Sequence, residues 1–290
     1  MSETQTRPVA DRRTAPATFA NILVHVEPEL SASHRTEVAA ALARDFDAHL
    51  IGLGAEALDA AFMAEPYSGL LMGEWIVAAQ EQVARHLQAA EAAFRRDAAG
   101  LDMEWRTVQA FPSAALVQTS RAADLVVVSP VARTASHYRT ANPGEVVLGC
   151  GRPVLVAPDA GRHLRAASIV VAWKDTREAR RAVADAMPFL QRAETVVVQA
   201  VCAADDVESA AFQVNDVVAS LKRRGIAARS GVTTARDDDV VKELDRIADL
   251  NDADLIVAGA YGHNRLAEWA FGGVTNDLLH HPKRFVLMSH

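Results

Sequence analysis

Cysteine is almost absent from this sequence: Cys150 and Cys202 stand in different halves, and neither belongs to a C-x-x-C or metal-binding spacing. A disulfide framework is therefore excluded, and two packed thiols in a reducing, cytoplasmic compartment are expected. No run of about eighteen apolar residues occurs, so no membrane-spanning helix is expected. Positive charge is in deficit, with 30 Lys and Arg against 37 Asp and Glu and a formal net charge of −7. That balance argues against nucleic acid or an anionic membrane as the main partner. The first eighteen residues lack an apolar stretch, and Glu3 and Asp11 interrupt the positive charges of Arg7, Arg12 and Arg13. A disordered tail is expected there, not a targeting signal.

Motifs of hydrolytic and redox enzymes are missing as well. The chain has no G-x-S-x-G elbow, no G-x-x-x-x-G-K-[S/T] loop, and no G-x-G-x-x-G after its first apolar strand. His280, His281 and His290 form no convincing ligand set, so no metal site is expected. Acidic residues are plentiful but read as solvated faces and helix starts. No catalytic residue stands out.

What the chain does have is length for two ordinary domains and an internal duplication. Asp124-Leu-Val-Val-Val-Ser129 resembles Asp254-Leu-Ile-Val-Ala-Gly259. Around that pair, Asn21-Ile-Leu-Val-His-Val matches Ser168-Ile-Val-Val-Ala-Trp, and Arg152-Pro-Val-Leu-Val-Ala matches Arg284-Phe-Val-Leu-Met-Ser, in the same order. Each half alternates apolar strands with helical periodicity, the pattern of a parallel sheet covered by helices on both faces. The expected division is a tail over 1–18, a first domain over 19–157, a short polar linker over 158–167, and a second domain over 168–290. One amphipathic helix is expected from Thr176, which can cap it, to Arg192.

The most informative stretch runs from Asp254 to Thr275, DLIVAGAYGHNRLAEWAFGGVT. Leu255 to Ala258 is a buried strand that stops at Gly259; Gly262 follows, and after nine residues Gly272, Gly273, Val274 and Thr275 open a short helical run. A strand, a glycine loop and a helix start in that order favour an anion. Unpaired amides and partial positive charge at the helix start attract phosphate oxygens, and glycine lets the backbone come close. The bland alternative is that these glycines end a strand, serve a turn and free a helix start. His263 and Arg265, inside the nine-residue loop, can reach phosphate oxygens or stand solvated.

Gly259-x2-Gly262-x9-Gly272, followed by Gly273-Val274-Thr275, resembles the nucleotide-binding signature of the universal stress protein family, G-x2-G-x9-G-[S/T]. The resemblance implies a tandem member. Its fold would be two doubly wound parallel five-stranded α/β sheets, Rossmann-like and adenine nucleotide alpha hydrolase-like. It also implies that Gly259, Gly262, Gly272, Gly273, Val274 and Thr275 line a pocket for ATP, with or without Mg2+, and that the protein acts in stress response. Family members that bind ATP have Asp just after the first strand of the domain, following the position of Ala172 and Trp173. Here Lys174 takes that place, either meeting a phosphate or standing as a solvated loop lysine.

The first half lacks the motif. Ser129-Pro130 replaces the Gly259 region, and proline removes a backbone donor. Gly144-Glu145-Val146 replaces Gly272-Gly273-Val274, placing a carboxylate where a phosphate would lie. The expectation is one adenine nucleotide in the second half, with at most slow ATP hydrolysis. The two halves would form an internal pseudo-dimer, and a homodimer and an unidentified protein partner remain open. The rival expectation is a scaffold of the same fold that binds no nucleotide.

Overall fold

The computed structural model describes residues 17–27, 30–59, 72–130, 135–158, 163–236, 239–261 and 273–290. Its first half runs β1 (Asn21–His25), α1 (Leu30–Phe46), β2 (His49–Ala55), α2 (Met72–Asp97), β3 (Met103–Val108), α3 (Pro112–Thr119), β4 (Leu125–Val128), α4 (Pro143–Gly149) and β5 (Val154–Val156). The second half repeats the plan with β6 (Ser168–Ala172), α5 (Arg177–Asp185), α6 (Met187–Leu190), β7 (Thr195–Cys202), α7 (Val207–Arg223), β8 (Ala228–Thr234), α8 (Val240–Leu250), β9 (Leu255–Gly259), α9 (Gly273–His280) and β10 (Phe285–Ser289). Thr176 caps α5 by accepting from the Ala179 amide at 3.2 Å, as its sequence position predicts. The single helix expected over 176–192 is divided at Ala186. Pro188 has no amide to donate and crowds the preceding turn, so the chain restarts as α6 with proline near its start.

The strands lie in the order β3-β2-β1-β4-β5-β10-β9-β6-β7-β8. Every neighbouring pair is parallel except β5 and β10, where Val154 faces Met288, Leu155 faces Leu287 and Val156 faces Val286 in antiparallel register. The two five-stranded sheets expected from the duplication are thus joined edge to edge into one sheet of ten strands. All side chains of β4, β5 and β10 are buried, as helices on both faces require.

A repeated device starts each half. The carboxylate of Asp124, before β4, accepts from the amides of Ala20 and Asn21 at 3.0 and 2.9 Å. Asp254, before β9, accepts from Arg165 at 2.7 Å and Ala166 at 3.1 Å. These bonds, with Leu164 and Ala166 buried in the core, make the end of the expected 158–167 linker part of the fold. Residues 159–162 lie outside the described residues, as do residues 1–16 of the expected tail. Ala17 is already tied down, its amide donating to Gln191 at 2.7 Å. Phe19 and Phe46 of the first half close on Phe189 of α6, with ring centroids 5.1 to 5.5 Å apart, and Arg192 lies 3.9 Å over the Phe46 ring. α6 therefore helps hold the halves together.

Candidate functional site

In open α/β sheets, ligands collect at the carboxyl ends of strands where the strand order reverses. In the second half that place is between β6 and β9, which run parallel with Ala172 opposite Ala258. Ala172, Val241 at the start of α8, Tyr261 and Val274 at the start of α9 pack against one apolar cluster that includes Ala258 and Ala260. Thr275 is buried in the first turn of α9. The fold thus brings Ala172, Gly259, Val274 and Thr275 to one edge of the sheet. Gly262, His263, Arg265 and Gly272 lie outside the described residues. Val241 was not legible from the sequence as a member of this cluster.

Two glycines of the motif differ in what surrounds them. A β-carbon on Gly259 would stand 2.4 Å from the Ala179 nitrogen and 2.6 Å from the Glu178 carbonyl carbon. The first turn of α5 therefore demands glycine at 259 with no ligand involved. Among the described residues, a β-carbon on Gly273 would meet nothing within 4 Å. Lys174 is exposed, while its neighbour Asp175 is taken by Arg180 at 2.6 Å. Asp175 is thus paired at the start of α5.

The first half shows what its own equivalent place has become. By the matched strands, His25 stands where Ala172 does, and Glu27 where Lys174 does. His25 is fully buried with Nδ1 3.2 Å from Glu27 Oε1, and Glu27 also accepts from Arg35 Nη2 and from the Thr140 hydroxyl, each at 3.2 Å. Burial pushes the Glu27 carboxyl up, but hydrogen bonding to His25 and the charge of Arg35 outweigh it and hold the group at about 2. Beside it, Glu56 pairs with His86 at 3.0 Å and Arg139 at 3.5 Å. The helix-start amides of α4 are occupied too. Asn142 Oδ1 accepts from Gly144 at 2.8 Å and from Glu145 at 3.4 Å. The crevice of the first half is filled by its own side chains.

An open depression of about 530 Å³ lies at the ends of β7 and β8, lined by Ala203, Ala204, Thr234, Ala235 and Arg236. Among the described residues, no group of three or more His, Cys, Asp or Glu is placed to hold a metal, and no helix is long and apolar enough to cross a membrane.

A model described as the universal stress protein family matches residues 166–290. Among solved structures, a universal stress protein from Archaeoglobus fulgidus DSM 4304 is similar over 93% of this chain and 95% of its own, with a TM-score of 0.65 at 12% identity. A putative universal stress protein from Pseudomonas aeruginosa UCBPP-PA14 is similar over 93% of both chains, with a TM-score of 0.56 at 15% identity. At these identities the likeness is one of fold, and it spans both halves. No curated protein matches the sequence.

Proposed function

Because a universal stress protein family model matches residues 166–290, we propose that this chain holds one adenine nucleotide at the carboxyl ends of β6 and β9 and serves as a sensor or regulator in stress response. The observation that carries this reading is the contrast at matched positions. The first half fills its crevice with His25 and Glu27, whereas the second places the small Ala172 and the exposed cation Lys174 there. Ala172 leaves room, and Lys174 supplies a positive charge suited to a polyphosphate. The start of α9 at Gly273 adds a helix N-terminus, whose partial positive charge suits phosphate. The motif residues Gly262, Gly272, His263 and Arg265 would complete the cradle.

On this reading the first half, residues 19–157, is a partner in an internal pseudo-dimer and takes no nucleotide. ATP is the ligand that the spacing of the motif favours, and Mg2+ would come with its phosphates, since the described residues offer no metal cluster of their own. On the same reading the site is a switch, with Asp175 paired to Arg180. The rival reading, a scaffold that binds nothing, draws on Gly259, whose lack of a side chain is explained by α5 alone.

Calorimetric titration of the nucleotide-stripped protein with Mg-ATP separates the two. Saturable binding near one ATP per chain is the expected result. Absence of both heat and thermal shift at millimolar ATP would favour the scaffold. Chromatography of the bound nucleotide would show unchanged ATP for a switch and ADP for a slow enzyme.

A further inference from the structure

Glu27 stands two residues past β1 and Glu56 directly follows β2, so both carboxylates lie at the carboxyl ends of the first half's strands. Their side chains are only 10% and 9% exposed. One short segment reaches both. Thr140 donates its hydroxyl to Glu27 Oε2 at 3.2 Å, its neighbour Arg139 lies 3.5 Å from Glu56 Oε1, and the Tyr138 carbonyl accepts from the Ala57 amide at 2.8 Å. Residues 136–140 therefore cross the ends of β1 and β2 as a strap. Its turn is closed by the amides of Arg139 and Thr140, which donate to the Ser136 carbonyl at 3.0 and 2.9 Å. Ser136 and His137 are exposed and residues 138–140 half-buried, so polar contacts rather than apolar burial fasten the segment. Segments fastened in that way open locally at less free energy than the core. What lies beneath is charged: His25, fully buried, and Arg35, 4% exposed, both answer Glu27. A half that had only to pack could fill this place with apolar side chains at no loss of stability. At the end of β7, the second half's counterpart of β2, Ala203 and Ala204 instead line an open depression.

We infer that residues 136–140 are a releasable strap that shuts the first half's crevice, with Glu27 and Glu56 as its two latches. The first half then carries a covered polar crevice, closed by its own chain. That closure is independent of what the second half binds.

The test is native-state hydrogen exchange on the full chain. In the parent, the Ala57 amide should exchange through openings that leave the β1 amides of Leu23 and Val24 protected. Thr140→Val combined with Arg139→Gln removes the hydroxyl donor and the cation at similar size. Exchange at Ala57 should then quicken by roughly tenfold or more, with Leu23 and Val24 unmoved and the melting temperature within a few degrees of the parent. The same double variant should let phenylglyoxal modify Arg35 faster, read by peptide mapping, because the crevice beneath is uncovered. The parent's exchange pattern decides even where the double variant is destabilised. Exchange at Ala57 only together with Leu23 and Val24, or parent rates in a folded double variant, would make residues 136–140 part of the core and overturn the inference. Arg35 modified at the parent rate beneath a loosened strap would show that something else closes the crevice, and would overturn it as well.

Discussion

Gly259 and Ala179 are in backbone contact, so close that a β-carbon on the glycine would lie 2.4 Å from the alanine nitrogen. Neither backbone can yield as a flexible side chain would. Gly259→Ala should therefore destabilise the ligand-free protein by about 1–3 kcal/mol, the usual range for overpacking. Denaturant unfolding without nucleotide checks this. Unchanged stability with lost nucleotide binding would instead assign the glycine to the ligand.

Gly273 is the opposite case. Among the described residues nothing crowds a side chain there, and the family signature has Ser or Thr at this point. Gly273→Ser should leave the melting temperature of the free protein within a few degrees. It should also tighten Mg-ATP by up to about tenfold, as one added hydrogen bond allows. Fluorescence anisotropy with a labelled ATP reads the affinity; no change would mean that the start of α9 does not face the phosphates.

The contrast between these glycines marks what sequence can and cannot carry. Strand identity was legible because Leu125–Val128 and Leu255–Val257 are unbroken apolar runs between helical segments, and the duplication fixed their order. The antiparallel join was not legible. Val154–Val156 and Phe285–Ser289 read as buried strands, but periodicity does not name a neighbour. The filled crevice of the first half was hidden for a similar reason, since Thr140 reaches Glu27 across 113 residues of chain. Gly259 stands out in the sequence, yet spacing alone does not distinguish a glycine that admits a ligand from one that admits a helix.

Glu27 gives the protein an acid-sensitive element. Its folded value is depressed from 4.5 to about 2, so its contribution to stability is present above pH 4.5 and is lost as pH falls from there toward 2. A shift of that size corresponds to about 3 kcal/mol. Glu27→Gln should remove this slope between pH 4.5 and 2. At neutral pH it should also destabilise the fold by about 3–5 kcal/mol, because Arg35, 4% exposed, loses its partner. Urea unfolding across pH reads both effects, and parallel pH profiles for parent and variant would refute the assignment.

Asn142 caps α4 in the first half with the same amides that an anion would need. Asn142→Ala should cost about 1 kcal/mol of stability and leave nucleotide stoichiometry at one per chain. A second binding event in this variant would show that the cap, rather than the Glu27 cluster, is what closes the first half.

Lys174 is where the two functional readings part most sharply. The residue is exposed, so its replacement carries little structural cost. At a bare surface a charge reversal would also do little to ligand affinity, since exposed charges are screened within about 8 Å at physiological salt. Within reach of a polyphosphate, by contrast, it converts attraction into repulsion. Lys174→Glu should weaken Mg-ATP by about tenfold or more, weaken ADP less, and leave adenosine unaffected, because the penalty scales with the charge it meets. Added salt should narrow the gap between variant and parent. Equal loss for ATP and adenosine would place Lys174 against the base, and no loss for either would leave it a solvated loop lysine with the phosphates held elsewhere.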